Sequence, residues 1–275
     1  MGNIKDLVDG AVALAKSGNR HAALALLLNA ISASSRKAYP GGTPSLKNPK
    51  NQMGSGEAFT LFLGGRLHKL FSGQHAGPDV GGPSTIVVQG QDLADVLYRY
   101  VRNDMAHEGE IKSGVEFADT SHVTGAANGL NVTFGTTKDG HLFMGDGAID
   151  LLVSVVVGAR CNAAEFGRTY VDAVPKAGVD EPALIAKCQA AGMTPARFRC
   201  IRDLLPSLPR EAAASGNADH IRAWFWSAHR AKALHPGVVR GLSYTGLSDQ
   251  EGLLSDQGVA LVQRIVASFD LVRTP

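Results

Sequence analysis

The sequence predicts a mainly α protein: a helical bundle with a small β-hairpin insertion over residues 1–175, and a C-terminal helical accessory domain over 176–275, for which a winged-helix-like arrangement is the alternative reading. Three observations lead there. Apolar residues recur at i, i+3 and i+4 through most of the chain, which is the pattern of a helix with one buried face. Period-two or β-prone runs are concentrated in residues 130–144. The turn-rich stretch Val174–Pro182 (VPKAGVDEP) is the natural domain boundary.

Taken in order, Ile4–Lys16 is a short amphipathic helix stopped at Ser17-Gly18-Asn19, and Arg20–Tyr39 is a second, with Leu24, Leu27, Leu28 and Ile31 on one face. A short turn joins them, so they should form an antiparallel hairpin. Residues 40–56 hold three prolines and four glycines and read as a long exposed loop. Glu57–Phe71 returns to helical spacing, and its Gly64-Gly65 pair weakens the helix while allowing close packing against a neighbour. Residues 72–85 form another Gly/Pro loop, and Ile86-Val87-Val88 is too short to classify. Gln91–Ile111 (QDLADVLYRYVRNDMAHEGEI) places Leu93, Val96, Leu97, Tyr100, Val101 and Met105 on one helical face. Leu130–Phe134 and His141–Met144, separated by Gly135–Gly140, predict a β-hairpin. Asp146–Tyr170 contains the β-branched run Val153–Val157, but its length and an N-cap at Asp146 favour a helix. Further helices are expected at Ala183–Ala191, Thr194–Leu205, Ala218–Leu234 and Asp256–Val272, with a Gly/Ser-rich segment over 237–252.

Bulk properties exclude several classes of function. Net charge is +2 over 275 residues. Residues 1–175 carry 15 Lys and Arg against 16 Asp and Glu, and residues 176–275 carry 12 against 9. Any contact with a polyanion must therefore come from a local patch. Cys161, Cys188 and Cys200 are odd in number and form no CxxC pair, so they read as reduced thiols and not as disulfides or a zinc site. The N-terminal residues lack a secretory pattern, and no run reaches the ~18 apolar residues of a membrane span. The expected location is cytoplasmic, without membrane contact. The glycine-rich stretches match neither the phosphate loop nor the dinucleotide fingerprint, and no GxSxG elbow is present. No cofactor and no metal are expected.

Chemistry concentrates at the end of the 91–111 helix, where Arg102, Asn103, Asp104 and His107 lie close together in sequence. This set suits cleavage of RNA by its own 2′-hydroxyl. Histidine supplies a proton acceptor and donor near neutral pH. Arginine supplies a permanent planar cation for the phosphate as charge builds in the transition state. Asn103 can hydrogen-bond the phosphate, and Asp104 can hold the imidazole. Spacing alone carries little weight, because Arg230–His235 (RAKALH) repeats the four-residue gap without a polar residue after the arginine. On a straight α-helix, at ~100° per residue, Arg102 and His107 lie about 140° apart. They do not face one point within one chain, so the pair makes more sense where two copies meet across a symmetric interface.

The segment VRNDMAHEGEI resembles the R-[polar]-x-x-x-H motif of the HEPN superfamily (higher eukaryotes and prokaryotes nucleotide-binding domains). The wider order is similar too: a helical hairpin ending RKAYP, a loop, a helix of type AFTLFL, then YRYVRNDMAHEGEI, a small hairpin and a closing helix. It is most similar to the Apea-like branch and covers roughly residues 1–172. The resemblance implies an α-helical bundle, a homodimer, and often metal-independent endoribonuclease activity in toxin–antitoxin or phage-defence settings, with an antitoxin or defence protein as partner. Under it, Arg102 and His107 are the catalytic pair and Asn103 assists.

The C-terminal domain admits two readings. EPALIAKCQAAGMTPARFRCIRDLL looks like a helix–turn–helix, with Arg197, Arg199 and Arg202 on or near its second helix as candidate nucleic-acid contacts. Alternatively, it is a helical accessory domain whose arginines form a solvated face. Trp224-Phe225-Trp226 reads as a core or interface anchor. The expected function is an RNA-binding endoribonuclease. The competing class is a non-catalytic RNA- or protein-binding module, or a DNA-binding regulator.

Overall fold

The computed structural model of the chain describes residues 3–72, 77–102, 115–117, 125–127, 130–138, 141–145, 147–231, 233–234 and 236–274. The chain forms two compact units, one of Met1–Ser72 with Asp79–Arg168 and the other of Gly73–Pro78 with Thr169–Pro275. Helices dominate both, as expected from the spacing of apolar residues.

The first unit opens with α1 (Ile4–Lys16) and α2 (Arg20–Ala38), packed as a hairpin. Asn3 and Asn19 cap them, accepting from the Lys5 and Ala22 amides respectively. Leu24, Leu27, Leu28 and Ile31 are fully buried, so the face chosen by periodicity is the core face. Helix α3 (Ser55–Phe71) packs against α2 and contributes Phe59, Phe62, Leu63 and Leu67 to the same core.

The first correction to the sequence reading falls at Gln91. Gln91–Asp92 is not helical but forms strand β2, paired antiparallel with β1 (Val87–Val88). Gln89 and Gly90 both take positive φ, 51° and 74°, which closes a two-residue hairpin turn. Helix α4 then runs only over Leu93–Val96, and the winding opens into a π-helix over Leu97–Arg102.

The β-hairpin also differs in its pairing. Strand β3 (Val115–Phe117) lies parallel to β7 (Leu142–Met144), whose other edge pairs antiparallel with β6 (Phe134–Thr136). Leu130–Val132 (β5) instead pairs with Gly125–Ala127 (β4). One expected strand is thus two, separated at Thr133, whose carbonyl accepts the Gly145 amide. Val132, Phe134, Leu142 and Met144 are buried, as period-two alternation requires.

The closing helix is shorter than expected. Helix α5 covers Ala148–Val157, and Gly147, with φ 78°, occupies the N-cap position; Asp146 lies outside the described residues. Its β-branched run is tolerated because Leu151, Leu152, Val155 and Val156 are fully buried. The helix stops at Gly158, and a 3-10 helix, Arg160–Phe166, follows.

In the second unit, β8 (Tyr170–Pro175) pairs antiparallel with β9 (Phe269–Thr274), so the unit's first and last long segments are joined. Between them lie α6 (Glu181–Ala190), α7 (Pro195–Leu204), a 3-10 turn Leu205–Ser207, α8 (Arg210–Ser215), α9 (Ala218–Arg230), α10 (Pro236–Tyr244) and α11 (Asp256–Ser268). The expected Gly/Ser-rich segment therefore begins as a helix, and residues 269–272, expected as helix, are strand. Phe198, Ile201, Phe225, Leu242, Val262 and Ile265 form the centre of this unit's core. Among the described residues no helix is long and apolar enough to cross a membrane.

Candidate functional site

The segment leading into the R-x4-H motif is built from its cap outwards. Asp92 is the N-cap of α4: one carboxylate oxygen accepts the Ala94 amide at 2.8 Å and the other accepts the Ser84 amide at 2.6 Å. Leu93, Val96 and Leu97 point into the core, and Tyr98 stacks at a tilt on Phe59 with ring centroids 5.3 Å apart. Gly56 makes room for that ring, since a Cβ there would lie 2.8 Å from it.

The π-helix bears on where position 102 lies relative to the buried Leu97; the angle between Arg102 and His107 falls outside the described residues. On α winding, position 102 lies about 140° around the helix from Leu97. With i→i+5 bonding, at ~82° per residue, the same five steps bring it to about 50°. Up to Arg102 the backbone therefore winds closer to the buried side than a straight helix would take it. Arg102 ends the π-helix; its side chain, together with Asn103, Asp104 and His107, lies outside the described residues.

A second polar constellation in the same unit was not anticipated. Asp79 sits among Arg66, 2.6 Å away, Lys69, 3.2 Å away, and the Arg160 backbone amide, 2.7 Å away. Arg66 is 5% exposed, and its Nε donates to the Val155 carbonyl at the end of α5. Burial alone would raise the Asp79 carboxyl, but Arg66, Lys69 and the amide outweigh it and hold it below the ordinary carboxylate range. Burial, reinforced by the Arg66 charge and opposed by Asp79, holds Lys69 below its usual value. Nearby, Asn162 is 1% exposed and donates to Ser34 Oγ and the Val156 carbonyl. Burial and then Asp79 push the Cys161 thiol up to about 11, so it is a poor nucleophile at neutral pH. The signals that could have found this cluster were Gly64-Gly65 and the lone acid of the 72–85 loop.

The unit also carries a cleft of about 330 Å³ whose lining includes Lys16, Arg20, Phe117, Gly147 and Asp150. It places two cations from the α1–α2 turn beside an aromatic ring and the start of α5.

The three C-terminal arginines go to different surroundings. Arg202 forks onto Asp203, at 2.9 and 2.7 Å, and reaches Glu181 at 2.7 Å. Against the cost of burial, these carboxylates hold its pKa above the ordinary arginine value. The Arg197 guanidinium lies over Gly241 of α10, where a Cβ would come within 2.1 Å of it. Arg199 is exposed. The turn between α6 and α7 does use Gly192, at φ 95°. Trp224 and Phe225 are buried, whereas Trp226 is exposed beneath the Arg230 guanidinium, 5.6 Å from its ring centroid. Arg230, which with His235 repeats the four-residue gap of Arg102 and His107, thus stacks on an aromatic ring, and His235 lies outside the described residues.

Comparison with known proteins places residues 3–170 under the model of a family described as Rv1289, a span of more than half the chain. No curated protein and no solved structure matches the chain.

Proposed function

The chain belongs to the Rv1289 family, and we propose that it is an RNA-directed, HEPN-like protein that cleaves its substrate without a metal ion. The observation that carries this reading is the sequence Arg102-Asn103-x-x-x-His107, which begins where the helical segment Leu93–Arg102, anchored at its first turn in a helical bundle, ends. In the proposed reaction, His107 takes the proton of the RNA 2′-hydroxyl as that oxygen attacks the adjacent phosphorus. Arg102 stabilises the extra negative charge on the phosphate oxygens, with Asn103 donating a hydrogen bond to it, and Asp104 orients the imidazole. The protonated His107 then returns that proton to the leaving 5′-oxygen, giving a 2′,3′-cyclic phosphate and a 5′-hydroxyl. A homodimer bringing two motifs to one cleft fits the spacing, and a toxin–antitoxin or phage-defence setting with a partner protein fits the HEPN resemblance. A cleft whose lining includes Lys16 and Arg20 together with Asp150 is one place for contact with RNA in the first unit.

RNA cleavage in EDTA by the wild type, Arg102→Ala and His107→Ala tests the proposal. Each substitution should lower the rate by roughly 10²–10⁴-fold. Cleavage that survives both would overturn the site, and an inactive wild type that still binds RNA would leave only the binding role. A DNA-reading role for the second unit draws less support, because Arg202 is committed to Glu181 and Asp203.

A further inference from the structure

Residues 79–84, which composition marks as loop, lie along α3 where that helix has no side chains. A Cβ at Gly64 would lie 2.2 Å from the Gly82 carbonyl oxygen, and one at Gly65 would lie 2.1 Å from that of Val80. The Gly82 amide donates to the Leu61 carbonyl at 3.2 Å, and the Tyr39 hydroxyl occupies the space beside Gly81. At one end the segment is fixed by Asp79 to Arg66, Lys69 and the Arg160 amide. At the other, the Ser84 amide donates to Asp92, the carboxylate that also caps α4, and Leu93 donates to the Ile86 carbonyl at 3.0 Å.

We propose that Asp79–Asp92 is a strap that sets the position and winding of the helix leading into Arg102. Helix α4 has four residues before the winding changes. Such a short helix has no stability of its own, so its N-terminal anchor decides whether it forms. That anchor is one carboxylate shared between the strap and the first helical turn: lifting the strap removes one of its two partners and frees the chain at Ile86. The strap also begins where the chain re-enters the first unit, since Pro78 belongs to the second unit and Asp79 to the first. The inference rests on the proposed reading only for what the motif does; the strap stands on its own contacts.

Amide hydrogen exchange of the full chain, read by mass spectrometry, tests it. Asp79→Asn and Gly65→Ala should speed exchange about tenfold over residues 86–99 as well as 79–84, while α1 and α2 stay protected. Asp92→Asn should speed 86–99 and leave 79–82 protected. Exchange that rises only over 79–84 in Asp79→Asn would overturn the strap. If Gly65→Ala loses protection in α1 and α2 as well, Asp79→Asn, which adds no bulk, decides by the same comparison. A wild type that fails to cleave RNA would sink the catalytic reading and leave the exchange result to judge the strap alone.

Discussion

Replacing Arg66 by Met should destabilise the first unit by about 3 kcal/mol, derived as follows. Arg66 is 5% exposed and serves two acceptors, Asp79 at 2.6 Å and the Val155 carbonyl at 3.2 Å. Removing one member of a buried ion pair typically costs ~3–5 kcal/mol, mostly because the other charge stays buried. Here Asp79 keeps Lys69 and the Arg160 amide, which places the pair's share at or below the low end of that range. The Val155 carbonyl, in the last turn of α5, is among those a helix leaves without an internal partner, and its loss adds ~1 kcal/mol or more. Methionine fills much of the volume, so little cavity cost is added. The slowest amides of α3 and α5 should then exchange roughly a hundredfold faster. Arg66→Lys should fall between, because it keeps a charge but not the fork. A double change, Arg66→Met with Asp79→Leu, should recover part of the loss, since no buried charge is stranded. A loss below ~1 kcal/mol in Arg66→Met would refute the view that Arg66 ties α3, α5 and Asp79 together.

Other outcomes follow from the same contacts. Because the folded Asp79 carboxyl titrates below its unfolded value, its contribution is present above pH ~4 and is lost as pH falls through the lower folded value. Acid titration of Asp79→Asn should therefore show a flatter acid limb than the wild type, measured by circular dichroism. Cys161 should react with iodoacetamide at pH 8 far more slowly than a free thiol, because burial pushes it up to about 11; mass spectrometry of the labelled peptide reads this directly. Lys16→Ala and Arg20→Ala should each weaken RNA binding and lower the slope of log affinity against log salt by about 0.7, measured by fluorescence anisotropy. Gly192→Ala should destabilise the second unit by ~1–2 kcal/mol in urea, since φ 95° is strained for alanine.

How far the sequence could be read depended on whether local pattern and tertiary packing agreed. They agreed in α1 and α2, where an asparagine cap precedes each helix and the apolar face is the buried face. They disagreed wherever a glycine or proline served packing and did not break structure. Glycines such as Gly237 and Gly241 made 237–252 read as a Gly/Ser-rich segment, yet Gly241 sits inside α10 to receive the Arg197 guanidinium. Gly64-Gly65 did signal a close approach, but nothing local showed that the neighbour was the chain's own next loop. The turn at Gln89-Gly90 lacks the Asn-Gly or Asp-Gly signature, so two residues expected to start a helix are strand instead. For the candidate site, the residue types were legible, and the described structure reaches only as far as the backbone of Arg102. The change of winding before Arg102 was not legible, because apolar spacing over Leu93, Val96 and Leu97 fits the α pattern until the point where it opens.

That change of winding bears on how the motif is compared with others. Five steps at ~18° less per residue fall short of α geometry by about 90°, nearly one residue's worth of rotation. Set against a straight α-helical counterpart, the stretch Leu97–Arg102 thus behaves as though it carried a one-residue insertion. An ungapped alignment anchored on Leu93, Val96 and Leu97 would pair the arginine with a position on the wrong side of the other helix. The position equivalent to 102 should be sought one place earlier in an α-helical partner.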